Sequence, residues 1–284
     1  MAVASTDNGL SETRVGIDTG GTFTDLLVLE GGLLRMAKTL STPAEPARST
    51  GEALSKAGLD GRGRVATLVH GTTIATNALI ERRGAAVGLI TTAGFGDLLE
   101  IQRIYRPRSF DLHWVKPQHL VPRRLVREVS ERVAADGTVT TPLDPADVCG
   151  AARELVAAGA GAIAVSFLFS FLNSDHERAA RDALQQEFPE LEVSISSEVF
   201  GQWREYERTS TCVIDAFLKP TVARYAAELT SLGDERAIAF SDGGHAKPSL
   251  RGAKRRSNPE IIGSRHPLDC FASLAMTDGG QRTP

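Results

Sequence analysis

Two hydrophobic periods alternate along the chain, one of two residues and one close to 3.6. Val15 to Asp18 and Phe23 to Leu29 follow the first period, with Gly20-Gly21 between them. They predict a strand, a tight turn and a second strand. Gly31-Gly32 leads into a third strand, Leu33 to Thr39, and the loop Pro43-Ala-Glu-Pro46 precedes a helix over about 47–57. Val65–Val69 reads as a strand running straight into His70-Gly71-Thr72-Thr73. After it, 74–82 puts Ile74, Ala78 and Leu79 on one helical face, and Gly84 stands where a C-cap glycine is expected. Ala86–Ile90 predicts a buried strand, Thr91-Thr92-Ala93-Gly94 a loop, and 95–101 a short helix. Gln102 to Pro122 is irregular. Leu125–Val133 predicts a strand, Ala135-Asp136-Gly137 a turn, Val139 the start of another strand, and 146–158 a helix. Gly161–Phe169 is a nearly continuous apolar run, the pattern of a strand buried on both faces. A helix over 175–188, a strand over 192–196 and a long helix over 204–232, interrupted or kinked near Pro220, complete the periodic part. Strands alternating with helices after an initial hairpin give an α/β class with a mixed sheet.

Composition narrows the class. A hydrophobic content of 42% with 24% charged residues is that of a soluble globular protein. A formal net charge of −3 argues against nucleic-acid binding as the main function. Cys149, Cys212 and Cys270 lie far apart without a Cys-x-x-Cys pair, which excludes a disulfide scaffold or zinc ribbon and suits a reducing cytoplasm. The start lacks a basic segment and an apolar core, so no signal peptide is expected. The longest apolar run, Ala160 to Leu172, contains Ser166 and Ser170 and is too short to span a membrane. Residues 1–13 are polar and expected to be disordered. From 245 the periodicity ends, and the basic cluster Lys247 to Arg256 reads as a solvated, disordered tail that includes the short apolar patch Leu268–Met276.

The hairpin Val15–Leu29 carries the richest candidate chemistry. Two adjacent glycines give the backbone φ freedom and leave no Cβ in a ligand's way. Asp18 places a carboxylate at the mouth of the turn, with the hydroxyls of Thr19, Thr22 and Thr24 around it and Asp25 beyond. Successive N–H groups in such a turn can hold an anion, so the expectation is a phosphate-holding hairpin with an acid for Mg2+ or a water. It is not a P-loop, because no lysine follows the glycines. Nor is it a dinucleotide fingerprint, because the glycines are adjacent and a strand follows. A plain hairpin turn is the alternative. His70 stands where a strand ends and a turn opens a helix, and either acts on a ligand or satisfies backbone groups there. Thr72, Thr73 and Asn77 either contact phosphate or substrate or cap the helix. Arg103 and Arg106, flanking Tyr105, either bind a carboxylate or are solvated. His176-Glu177 lacks the second histidine of His-Glu-x-x-His, so a zinc protease site is rejected.

Four segments in order carry a family resemblance: Val15–Leu29, His70-Gly-Thr-Thr-Ile-Ala-Thr-Asn-Ala-Leu-Ile80, Gly88-Leu-Ile-Thr-Thr-Ala-Gly-Phe95 and Arg204-Glu-Tyr-Glu-Arg-Thr-Ser-Thr211. Over about residues 14–233 the chain resembles the N-terminal part of hydantoinase A/5-oxoprolinase family proteins, which include N-methylhydantoinase, 5-oxoprolinase and acetone carboxylase subunits. The resemblance implies an actin-like, sugar-kinase-like (ribonuclease H-like) ATPase lobe with a mixed sheet, followed by a long helix and the disordered tail. It implies ATP and Mg2+ as cofactors and a small cyclic amide as substrate, opened after phosphorylation of the amide oxygen. Asp18 and His70 would be catalytic, and Thr19, Gly20, Gly21, Thr22, Thr24, Asp25, Thr72 and Thr73 would bind the cofactor. Asp18 would act through Mg2+. Asp25 either shares that role or caps the turn. Arg204 and Arg208 either form an intrahelical charge ladder with Glu205 and Glu207 or anchor an interface to a second ATPase half.

The same resemblance sets expected boundaries: an N-terminal domain over 14–198, the start of a second domain over 199–244, and an unrelated tail over 245–284. Ser241-Asp242-Gly243-Gly244 resembles a Ser-Asn-Gly-Gly turn of the family, and nothing after it does. The expectation is a truncated subunit, cytoplasmic and inactive alone, without nucleic-acid or membrane partners. The alternatives are half of a split ATPase completed by a second hydantoinase-type subunit, or a non-catalytic interaction module.

Overall fold

The structure is a computed structural model that describes residues 13–42, 45–59, 65–104, 111, 113 and 115–235. Residues 1–12, Tyr105, Arg106, the Ser241–Gly244 turn, the basic cluster and the apolar patch of the tail lie outside the described residues. The described parts of Met1–Glu81 and Thr221–Ser249 form one compact unit, and those of Arg82–Pro220 form a second.

The first unit is built from β1 (Thr13–Thr19), β2 (Phe23–Glu30), β3 (Leu33–Leu40), α1 (Pro46–Lys56), β4 (Val65–Thr72) and α2 (Ile74–Ile80). Its sheet has the order β3-β2-β1-β4. The β1/β2 and β2/β3 pairs are antiparallel and β1/β4 is parallel, so this is the mixed sheet that the sequence predicts. Gly31 and Gly32 both have positive φ, 56° and 78°, as a two-residue type I′ connection between β2 and β3 requires. Alternation sends Val15 and Ile17 of β1 and Leu26 and Val28 of β2 to one face. There they pack with Ala53, Leu54 and Ala57 around α1, and with Leu59 and Val65. Pro46 starts α1 at a position where its missing N–H costs nothing.

The second unit contains β5 (Val87–Thr92), α3 (Leu98–Ile101), a 3-10 turn at Arg123–Leu125, β6 (Val126–Val129), β7 (Arg132–Val133), β8 (Val139–Thr141), α4 (Pro145–Ala157), β9 (Ala162–Ser166), α5 (Asp175–Glu187), β10 (Glu192–Ile195) and α6 (Ser196–Val199). Its sheet, ordered β10-β9-β5-β6, is wholly parallel. Every residue of β5 and β9 is buried, the burial their apolar runs predict for central parallel strands. The Asp144 carboxylate accepts from the Ala146 N–H at 2.9 Å and caps α4, with Pro145 in the first turn. The helix α7 (Glu205–Glu235) runs uninterrupted through Pro220. Within the second unit it is tied to β9 and β10 by Thr209 with Ser166 at 2.7 Å and by Ser194 donating to Asp215 at 2.6 Å.

Several sequence expectations shift for identifiable reasons. Thr91 and Thr92 belong to β5 rather than to a loop. The helix expected over 95–101 shortens to α3 because the preceding loop is held by Glu128, which accepts from Gly94 N–H at 2.8 Å and Gly96 N–H at 3.0 Å. The strand expected over 125–133 breaks at Glu131, whose buried carboxylate is bonded to the Thr92 hydroxyl and to His176 Nδ1 at 2.8 Å. Gly84 is no C-cap, since α2 ends at Ile80 and Arg82 takes the left-handed conformation with φ of 55°. A Cβ on Gly84 would lie 2.5 Å from the Phe217 carbonyl oxygen, and the next residue, Ala85, donates to that oxygen at 3.0 Å.

Arg208 is neither a rung of a surface ladder nor an exposed anchor. It is 1% exposed and donates to the Phe167 carbonyl at 2.9 Å, the Gln202 carbonyl at 3.1 Å and Ser196 Oγ at 3.1 Å. Burial pulls its guanidinium below the ordinary range, opposed by the charge of Glu177. Glu177 itself accepts from the Phe167 N–H, Ser196 Oγ and the Ser197 N–H. Removing one member of such a network leaves the other charge buried, so Arg208→Ala is expected to lower the unfolding free energy by about 3–5 kcal/mol in urea titration. Gly84→Ala, crowding a backbone carbonyl, is expected to lose about 1–3 kcal/mol. Gly150→Ala in α4, where a Cβ meets open space, is expected to gain about 0.5–1 kcal/mol.

Candidate functional site

The site is built on β1, bonded to β2 on one side and β4 on the other. Register pairs Asp18 with Asp25 and with Gly71, and Ile17 with Leu26 and with His70. Neighbours in register share a face, so Asp18, Asp25 and Gly71 lie on one face and His70 and Thr72 share the other with Ile17 and Thr19. The two residues expected to be catalytic, Asp18 and His70, are therefore on opposite faces of the sheet. The structure does not bring them together.

On the open face, Asp18 is exposed, and its Oδ1 lies 3.4 Å from where a Cβ on Gly71 would stand. The turn beside it is closed by Gly20 N–H donating to the Phe23 carbonyl at 2.9 Å, while the Thr22 carbonyl accepts from Ser41 N–H at 2.8 Å. Gly21 and Thr22 are exposed, and their N–H groups take no part in either bond. Neither Gly20 nor Gly21 has a positive φ, so the glycines are not required for backbone freedom, contrary to expectation. Their surroundings are tight: a Cβ at Gly20 would come 3.3 Å from the Phe23 carbonyl, and one at Gly21 3.3 Å from the end of the Asn77 side chain.

The other expected residues divide. Thr19 and Thr24 are buried on the covered face, where Thr24 Oγ1 bonds with Ser49 Oγ at 3.0 Å and Ser41 Oγ at 3.1 Å, and Thr19 Oγ1 lies 3.5 Å from Thr50 Oγ1. Strand alternation thus removes both hydroxyls from the surroundings of Asp18. Asp25 neither caps the turn nor stands free; it accepts from Lys38 Nζ at 2.8 and 3.1 Å, and that ammonium lies over the Phe23 ring. The strand β4 extends through Thr72, so His70 and Gly71 are strand residues rather than a turn. Thr72 Oγ1 accepts from the Ile74 N–H at 3.2 Å, and Thr73 Oγ1 accepts from Asn77 Nδ2 at 3.2 Å. Arg103 makes a two-pronged pair with Glu207, at 2.9 and 2.5 Å. Of the rejected zinc pair, His176 bonds to Glu131 and Glu177 to the Ser196 network. Among the described residues no three His, Cys, Asp or Glu side chains are grouped to hold a metal ion.

On the covered face His70 Nε2 meets the Tyr225 hydroxyl at 2.5 Å, and Nδ1 is buried without a hydrogen-bond partner in the described structure. The side chains of Thr50, Thr19 and Thr72 lie around the Tyr225 hydroxyl. Burial pulls the His70 imidazole below its ordinary value of 6.5, opposed by the charge of Asp18. Burial pushes the Tyr225 hydroxyl up, opposed by its threonine partners. His70 therefore serves as a neutral partner that holds Tyr225 of α7 against β1 and β4. Tyr225 and Thr50 were not legible as site neighbours; 155 positions separate His70 from Tyr225, and no local pattern links them.

The pattern that describes the hydantoinase/oxoprolinase N-terminal region matches residues 14–188. The chain belongs to that family. Curated relatives include caprolactamase subunit alpha of Pseudomonas jessenii, 36% identical over 233 residues, a match covering 78% of this chain and 33% of the relative. Acetophenone carboxylase gamma subunit of Aromatoleum aromaticum is 34% identical over 239 residues, covering 76% and 32%. The crystal structure of ATP-dependent caprolactamase from Pseudomonas jessenii superposes with a TM-score of 0.70 at 34% identity, over 80% of this chain and 34% of that one. The chain spans about a third of the length of the curated relatives it matches. Membership agrees with the α/β architecture and the mixed sheet of the first unit.

Because His70 is protonated more readily when unfolded than when folded, the unfolded state binds more protons below the ordinary value of 6.5. Stability from this group is complete above that value and is lost as pH falls through the lower folded value. Urea titrations from about pH 7.5 to about pH 5 should show this decline, and His70→Gln should remove that part of it. Tyr225→Phe, which leaves the His70 ring without its partner, is expected to destabilise by about 1–3 kcal/mol at neutral pH.

Proposed function

We propose that the exposed Gly20-Gly21-Thr22 turn holds phosphates of ATP, with Asp18 beside it orienting Mg2+ or a water, in an ATP-dependent subunit that opens a cyclic amide. One observation carries the reading. Exposed Asp18 stands near the end of β1, before the exposed Gly21 and Thr22, whose N–H groups take no part in the two bonds that close the turn, in a chain related to an enzyme described as ATP-dependent. Bare backbone N–H groups suit phosphate oxygens. Mg2+ is commonly held by one or two carboxylates plus phosphate oxygens, so a lone aspartate is a sufficient protein ligand. ATP would supply the phosphoryl group that makes the amide oxygen a leaving group.

The rest of this chain's contribution is positional. Thr73 N–H donates to the Thr19 carbonyl at 3.2 Å, fixing the end of β4 against the end of β1. His70 acts behind the sheet by securing Tyr225. An actin-like arrangement, implied by the resemblance, seats the ligand between two lobes, of which this chain contributes one. The relatives are named as subunits, which favours completion by a second hydantoinase-type subunit. The isolated chain is accordingly expected to lack turnover. Buried, unpaired Cys149 and Cys212 suit the cytoplasm.

Amide NMR of the isolated chain tests this. Mg-ATP should shift Gly20, Gly21 and Thr22 with a dissociation constant on the order of 1 mM, and Asp18→Ala should abolish the Mg2+-dependent part. Unshifted turn amides would sink the phosphate assignment. Micromolar binding by the chain alone would overturn the need for a second lobe.

A further inference from the structure

The second unit holds a cavity of about 550 Å3 that the proposed phosphate chemistry does not use. Its volume is that of a small-molecule site. One wall is the irregular run from Lys116 to Arg123, where Pro117 and Pro122 remove N–H donors and keep the chain out of the sheet. Glu100 of α3, Phe217 of α7 and Arg82 also line it.

The charges of the lining do not balance. Its one carboxylate is already taken: Glu100 Oε2 lies 3.5 Å from Lys116 Nζ and 3.3 Å from His119 Nε2, which is buried and forms no hydrogen bond despite that distance. Arg123 is neutralised by acids outside the lining, Asp97 at 2.6 Å and Glu128 at 3.3 Å. Arg82 differs from both. Its Nη2 donates to the Gln118 carbonyl at 2.7 Å, and among the described residues no carboxylate pairs with it. One positive charge is left over, tethered by a single edge of its guanidinium.

The backbone is bent to hold it there. Arg82 follows Glu81, the C-cap of α2, and takes a φ of 55°, the left-handed conformation that glycine ordinarily supplies at this position. A non-glycine residue kept in that region points to a side chain that is needed. Two residues on, Gly84 leaves room for the Phe217 carbonyl, to which Ala85 donates at 3.0 Å. The segment is thereby laid along α7 where Phe217 lines the cavity.

We infer that this cavity binds a small organic monocarboxylate, with the carboxylate on Arg82 and the hydrocarbon part against Pro117, Leu120 and Phe217. A guanidinium anchored through one nitrogen still offers N–H groups that match a planar carboxylate. A single unbalanced cation is met by a single negative charge, whereas a phosphate dianion would leave charge over. The apolar walls hold an organic body that an inorganic anion lacks. All these residues belong to the second unit, and the inference is independent of the phosphate assignment.

Hexanoate is the probe, titrated into the full chain and followed by proton–carbon NMR of the Leu120 methyls and the Phe217 ring, with hexanamide as the uncharged match. Hexanoate should shift both residues with a dissociation constant on the order of 1 mM, and hexanamide should not. Arg82→Gly suits the left-handed φ, so its melting by circular dichroism should stay within a few degrees while hexanoate binding weakens at least about 10-fold. Arg82→Gln, which keeps a donor for the Gln118 carbonyl and removes the charge, should show the same loss and serves if the glycine variant fails to fold. Arg124→Gln, at an exposed arginine outside the lining, should leave binding unchanged. Unshifted Leu120 and Phe217, equal shifts with hexanamide, or binding indifferent to Arg82 overturns the inference. So does inorganic phosphate that displaces hexanoate at equal concentration, which would make the cavity a general anion site. The amides of Gly20–Thr22 are read with Mg-ATP and without hexanoate, so the two assignments fail or stand separately.

Discussion

β1 is hydrogen-bonded on both edges, and nearly everything in the first unit follows from the side to which each of its seven residues points. Odd positions from Thr13 to Thr19 face α1 and the core; even positions face outward. Antiparallel pairing fixes the phase of β2 and parallel pairing fixes the phase of β4. A slip of one residue would send Asp18 into the core and Ile17 into water. The register is thereby locked by the same hydrophobic burial that stabilises the unit. Two chemical environments are created back to back: an outward one with an exposed carboxylate before an exposed glycine turn, and an inward one where hydroxyls and one imidazole nitrogen meet.

The inward cluster gives a residue of the His70–Ile80 motif a structural partner far along the chain. His70 Nε2 and the hydroxyls of Thr19, Thr50 and Thr72 surround a single phenol, whereas His70 Nδ1 is buried without a partner in the described structure. A histidine at a strand end beside a Gly-Thr-Thr run looks catalytic when read along the chain. In three dimensions it is a partly desolvated ring on the face of the sheet opposite Asp18. Arg208 teaches the same lesson in the second unit. Its neighbours in sequence suggested surface charge pairing, whereas its three carbonyl and hydroxyl contacts make it a core strut.

Much of the architecture was legible because the signals were periodic or binary. The alternating β2, the nearly continuous apolar run of β9 and the proline-led start of α4 could be read from spacing alone. What escaped was whatever depended on distant partners. Glu131 ends a strand early because Thr92 and His176 claim its carboxylate. Gly84 is a glycine because Phe217 comes close, not because a helix ends there. The four-segment family pattern placed the hairpin correctly in its family. It could not say which threonine hydroxyls share a face with Asp18, because that is decided by strand phase, and Thr19 and Thr24 fall on the covered face.

The Tyr225 contact also bears on the order in which the chain can fold as it is synthesised. The inward cluster of the first unit joins residues made at the outset to one made 155 positions after His70. Until α7 has left the ribosome, the face of β1 and β4 bearing Thr19, His70 and Thr72 has no lid, although the strands can already pair. Residues 82–220 are complete before that moment and need nothing from upstream to close their parallel sheet. The piece first translated is thus the last to be sealed, and its exposed hydroxyls and imidazole must wait in water for the phenol that joins them.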